Sequence, residues 1–232
     1  MYKRFYLLVF TLGILSGCDP LSETYLWETT TSTTSATFYS ADFKEDQKRP
    51  EFALVELDSL QNYGQLLRKM QQLSCDNKFT GIQFTDMDTL YGITGFTECP
   101  NDGIISCYLN RNIIKIKNDS LMNFGGDQDK LVHINTLEKE LQKIIATTFR
   151  LQFDKNFINP ALIHLFIEDK YPITLTKEVL KEIITQFEKI NSEMGADYFT
   201  YSILFDGISM IDIPPPPPPV LSNTLEELNV VE

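Results

Sequence analysis

Ala161-Leu162-Ile163-His164-Leu165-Phe166-Ile167 is the run that decides the fold. All but His164 are apolar, and no alternation is visible. A strand with one wet face alternates, whereas a strand covered on both faces does not. The run therefore predicts a central strand, with Asn159-Pro160 breaking the pattern before it. Beyond it, Val179, Leu180, Ile183, Ile184, Phe187, Ile190 and Met194 recur at the spacing of one helical face. They predict a helix over residues 177–194, stopped by Gly195, and residues 198–205 then read as another strand. Lys177, Glu178, Lys181, Glu182, Glu188 and Lys189 look like the wet face of that helix. Upstream, Ile113-Ile114-Lys115-Ile116-Lys117 reads as a strand and residues 118–129, with Gly125-Gly126, as a polar loop. Asn135 and Glu138 form a capping box for a helix whose face is Leu137, Leu141, Ile144, Ile145 and Phe149. Strand–helix–strand–helix–strand over residues 113–205 predicts an α/β fold, with α+β as the near alternative: a layered sandwich with amphipathic helices on a mixed sheet.

The preceding portion is built from shorter signals. Phe52-Ala53-Leu54-Val55-Glu56-Leu57 has strand length. Asp58 reads as an N-cap, completed by Gln61, for a helix with Leu60, Tyr63, Leu66, Leu67, Met70 and Leu73 on one face. Residues 79–84 are short and β-prone. Residues 85–112 read as loops and hairpins punctuated by Gly92, Gly95 and the turn Pro100-Asn101-Asp102-Gly103. From residue 28 to 41 the chain is rich in Thr and Ser, which suits a tether; an edge strand is the other reading.

Charge removes whole classes of partner. The 232 residues carry 20 basic and 32 acidic side chains, a net charge of −12. Such a surface repels phosphate backbones and anionic headgroups, so neither nucleic acid nor a polybasic membrane contact is expected. No constellation announces catalysis. GxSxG, HExxH, a phosphate loop and Gly-x-Gly-x-x-Gly are all missing from the sequence, and it holds only two histidines. His133 precedes a helix start, and His164 lies within the apolar strand. Asp86/Asp88 and Asp127/Asp129 are paired carboxylates of the kind that suits calcium, but neither continues into an EF-hand, so they read as solvated loop residues. No metal or cofactor is expected.

The first residues say where the chain belongs. Lys3 and Arg4 precede an apolar segment, residues 5–14, that is too short to span a bilayer, which takes roughly 20 residues. Leu15-Ser16-Gly17-Cys18 then resembles the lipobox of the bacterial lipoprotein family. The resemblance implies cleavage before Cys18, acyl chains on Cys18, palmitate among them, and a membrane-anchored protein of the cell envelope facing the periplasm. Asp19, next to the lipid, resembles an inner-membrane retention signal. In that oxidising compartment Cys75, Cys99 and Cys107 allow one disulfide. Cys99 with Cys107 across the turn, and Cys75 with either, stand as equal alternatives.

Residues 113–205 further resemble the periplasmic domain of the ExbD/TolR family. There an apolar strand ends in an acidic residue, as in Leu165-Phe166-Ile167-Glu168-Asp169. A loop, an amphipathic helix and a glycine stop lead to the last strand. That family carries a transmembrane helix where this chain has a leader, so the resemblance implies a shared fold and no motor role. Finally, Pro214, Pro215, Pro216, Pro217, Pro218 and Pro219 form a polyproline II segment, a spacer or a ligand for an aromatic groove on a partner.

The expected organisation is a leader (residues 1–17), a tether (18–50), a β-α-β and hairpin portion (51–112), a β-α-β-α-β portion (113–212) and a proline-rich acidic tail (213–232). The expected function is a lipid-anchored binding and assembly module of the envelope, without catalysis, with a protein partner there and accessory to an envelope transport system. An envelope hydrolase using His164 or a loop carboxylate, or a small-ligand-binding lipoprotein, is the alternative.

Overall fold

The computed structural model of the chain describes residues 36–100, 112–122, 130–151 and 156–214. In chain order these form β1 (Ala36–Tyr39), α1 (Ala41–Asp46), β2 (Phe52–Glu56), a 3-10 turn (Leu57–Ser59), α2 (Tyr63–Cys75), β3 (Phe79–Asp86) and β4 (Thr89–Gly95). There follow β5 (Asn112–Lys117), β6 (Ser120–Met122), β7 (Leu131–His133), a second 3-10 turn (Ile134–Thr136), α3 (Leu137–Leu151), β8 (Ile158–Phe166), α4 (Ile173–Met194) and β9 (Phe199–Phe205). Two mixed sheets with helices packed on them make a layered α/β fold. One has the order β1-β4-β3-β2 and the other β7-β6-β5-β8-β9.

The unbroken apolar run does become a central strand, flanked by β5 and β9 in parallel. On one face Ala161, Ile163 and Leu165 are fully buried, in a single core with Ile114 and Ile116 of β5, Ile203 and Phe205 of β9, and the stripes of α3 and α4. Each fully buried Ile or Leu side chain contributes roughly 1.5–3 kcal/mol. The other face is closed over Leu162 and Leu204 but opens toward Ile113, which is 38% exposed.

Several local expectations are corrected. Asn159-Pro160 does not precede the strand but lies inside it, where a register irregularity between Ile158 and Ala161 accommodates the missing N–H. The cap of α2 is Asn62, whose Oδ1 accepts from Gln65 N at 3.1 Å. Asp58 instead accepts from Thr85 N at 3.0 Å and pairs with Lys177. The second 3-10 turn is capped by His133, whose Nδ1 accepts from Asn135 N, rather than by an Asn135–Glu138 box. α4 begins a turn earlier than expected, after Pro172. Gly92 and Gly95 are not loop punctuation but residues of β4. Regular structure is present before Glu51: β1 is an edge strand pairing with β4, and α1 follows it within the expected tether. Pro100 is described but not the rest of its turn; Gly125-Gly126, the Thr-rich residues before Ala36 and the prolines after Pro214 also lie outside the described residues.

The two sheets meet at β4. Its outer edge pairs with β1 as far as Gly92, whose carbonyl accepts from Ser40 N at 2.9 Å. There α1 begins and carries the chain away. Further along, Phe96 N donates to Ile203 O, and Phe205 N donates to Phe96 O, both at 2.9 Å, so that β9 takes the place β1 has left. Asn191 of α4 closes the start of β9: Phe199 N donates to Asn191 Oδ1 at 2.8 Å, and Asn191 Nδ2 donates to Phe199 O at 3.3 Å.

Candidate functional site

The handover from β1 to β9 leaves a gap beside Thr94. It opens into a cleft of about 550 Å³, walled by Asp42 and Asp46 of α1, by Lys78 and Phe79 at the start of β3, by Thr94 to Thr97, and by Ser202 and Ile203 of β9. That volume is in the range of small-ligand sites. Its rim is fixed. Cys75, the last residue of α2, is disulfide-bonded to Cys99 beyond β4, with Cα atoms 4.9 Å apart. Beside it Ser74 Oγ donates to Thr97 O at 2.8 Å, and Thr97 Oγ1 donates to Phe205 O at 2.8 Å.

A smaller pocket of about 20 Å³ shares Asp42 and Thr94 with the cleft and adds Glu188, Asn191, Asp197 and Tyr201. The hydroxyl of Tyr201, a residue of this lining, is wholly buried and has no hydrogen-bond partner among the described residues. Burial, with the nearby charges of Glu188 and Asp42, pushes its pKa far above the ordinary phenol value. Burial also raises the Glu188 carboxyl, Lys44 opposes the rise and Asp197 adds to it. The pocket thus gathers the carboxylates of Asp42, Glu188 and Asp197, with Lys44 acting on Glu188.

The second polar feature is on the opposite edge of β9. His164 Nδ1 lies 3.0 Å from Asp206 Oδ2, both side chains being 12% exposed. Tyr63 Oη donates to Leu165 O at 2.5 Å and lies 3.0 Å from Asp206 O. Burial above all, and Asp206 next, push the Tyr63 pKa well up, so the phenol stays a donor. The knot ties α2 to the ends of β8 and β9. His164 is therefore largely buried and paired with a carboxylate. A base of this kind needs a hydroxyl or thiol to activate, and among the described residues none hydrogen-bonds His164.

The other residues singled out by sequence are dispersed. Asp86 is paired with Lys181, and the Asp88 carbonyl accepts from Ala36 N. Among the described residues no group of three His, Cys, Asp or Glu is placed to hold a metal ion, and no helix is long and apolar enough to cross a membrane. Cys18, Cys107, Asp127, Asp129, and Pro215 to Pro219 lie outside the described residues. The face of α4 read as wet is solvent-exposed at Glu178 and Lys189, and it also carries ion pairs: Lys177 to Asp58, Lys181 to Asp86, and Lys189 to Glu138 at 2.7 Å. Sequence reasoning missed Asp42, Thr94, Asp197 and Tyr201 and misplaced Glu188. One signal for Tyr201 was present, since it shares the alternation of Ile203 and Phe205, and a phenol on a buried face needs a partner.

No protein-family model, curated protein or solved structure matches this chain.

Proposed function

We propose that this chain is a non-catalytic binding and assembly module of the bacterial cell envelope, anchored to a membrane by lipid on Cys18 and facing the periplasm. The observation that carries the binding role is the cleft of about 550 Å³ where the two sheets hand over. The Cys75–Cys99 disulfide supports an oxidising compartment. The lipobox-like Leu15-Ser16-Gly17-Cys18 supports the anchor. An accessory role in an envelope transport system is the narrower form, supported by the strand–helix order of residues 113–205 alone.

Chemical crosslinking in envelope fractions, followed by affinity capture of the full chain, tests the module. A defined partner is expected, released when Thr94→Trp fills the cleft. Capturing nothing, or the same partner with the cleft filled, removes the proposal. Mass spectrometry of the membrane fraction tests the anchor, with an acylated Cys18 expected at the mature N-terminus and a bare one refuting it.

The paired His164 and Asp206 favour one second reading, an envelope hydrolase. Ester and amide substrates assayed with the wild type and His164→Gln decide it: equal rates for the two retire it.

A further inference from the structure

We propose that the acidic tail, residues 220–232, docks back on its own chain, in a groove along α2 rimmed by Arg68 and Lys69. This contact is independent of the cleft.

α2 carries Arg68 and Lys69 and no acidic residue, whereas α1, α3 and α4 each carry acidic residues. In a chain of net charge −12 that makes α2 a local basic face. Arg68 and Lys69 are exposed, and among the described residues neither makes an ion pair. With Leu60, Gln65 and Gln72 they line a groove of about 270 Å³. Small-ligand sites run from roughly 300 to 1,000 Å³, so a groove below that range suits the side chains of a peptide. Leu60 gives it an apolar side and the two cations a charged rim.

The tail matches both. Residues 220–232 carry Glu226, Glu227 and Glu232 and no basic residue, so charge favours them on this face. Leu225 and Leu228 flank the paired glutamates and supply an apolar side chain for Leu60. Reach permits the return. The chain leaves β9 against α2: Tyr63 Oη lies 3.0 Å from Asp206 O, and a Cβ built on Gly207 would lie 3.8 Å from Leu67, the neighbour of Arg68. Asp212, five residues on, is fastened to Lys117 at 2.7 Å. Five residues span at most about 18 Å, and the proline run covers about 19 Å as polyproline II, enough to bring the chain back. Over so short a tether the effective concentration is of mM order, so weak surface charge pairs suffice. Docking makes Pro214 to Pro219 a strap held at both ends.

Hydrogen exchange of the full, disulfide-bonded chain, read by mass spectrometry, tests this. Amides of residues 222–231 are expected to be protected about tenfold. Arg68→Glu with Lys69→Glu should remove that protection. Adding Glu226→Lys with Glu227→Lys should restore it, because the charges are then swapped rather than lost. Arg68→Gln with Lys69→Gln, which adds no like charge, should weaken protection in the same direction. Exchange in β8 matching the wild type separates a lost contact from a lost fold. The proposal is overturned if the wild-type tail exchanges at the unprotected rate, if charge reversal on α2 leaves its protection unchanged, or if the swap fails to restore it. Protection that grows with protein concentration places the tail on a second copy and overturns the intramolecular contact.

Discussion

The ring of Phe205 lies against the backbone of Gly95, so closely that a Cβ built on Gly95 would come within 2.3 Å of Phe205 Cε2. Phe205 is fully buried and stands at the seam where β9 meets the extension of β4. It cannot retreat without opening the core. Gly95→Ala is therefore expected to destabilise the chain by about 2–3 kcal/mol, as overpacking of a rigid site does. Gly207→Ala is the control: its Cβ would meet nothing closer than Leu67 at 3.8 Å, and a change within about 0.5 kcal/mol is expected. Urea unfolding of the two variants gives the comparison, and equal stabilities would refute the seam as the constraint.

Strand glycines explain much of what was hidden in the sequence. Gly81, Gly92 and Gly95 carry the rings of Phe52, Tyr39 and Phe205 on their backbones. A glycine in a local window signals a turn, and only the tertiary neighbour shows that the missing side chain is room for a ring. Pro160 misled in the same way, because a register irregularity tolerates it inside β8. Elements with their own periodicity, such as α4 and the long run of β8, were legible because their burial repeats along the chain. The pocket was not, since Asp42 and Tyr201 are distant in sequence and Glu188 sits one residue from the buried Phe187 of the stripe.

Reducing the Cys75–Cys99 bond frees the rim of the cleft. The bond closes a loop with a sequence separation of 24 residues, and a cross-link of that span is worth about 3 kcal/mol through the unfolded chain. Guanidinium unfolding with and without reductant should show a loss of that order. Cys75→Ser with Cys99→Ser should reproduce it without reductant. A double variant as stable as the oxidised wild type would contradict the pairing.

The pair formed by His164 and Asp206 is expected to be worth more intact than in halves. Asp206→Ala leaves a nearly buried imidazole without its acceptor and should cost about 2 kcal/mol. His164→Phe leaves the carboxylate unpaired and should cost a similar amount. Because each removes the same contact, the double variant Asp206→Ala with His164→Phe should cost less than the two together. Strict additivity in a thermal-unfolding cycle would show that the 3.0 Å contact carries no coupling.

Glu188 gives the fold a pH dependence with a defined sign. Burial raises its carboxyl above the ordinary value of 4.5, with Asp197 adding to the rise and Lys44 opposing it. The folded chain therefore holds this proton where the unfolded chain has released it. The resulting stabilisation is fully present below 4.5 and is lost as pH rises through the folded value. Glutamine has the shape of the protonated acid and cannot ionise, so Glu188→Gln should match the wild type in acid and become the more stable of the two above that window. Subtracting the two stability curves isolates Glu188 from the other carboxylates, among them Glu168, which Lys170 holds below its ordinary value and which acts with the opposite sign. A difference that is flat with pH, or that grows toward acid, would mean that the Glu188 carboxylate is compensated in the folded chain.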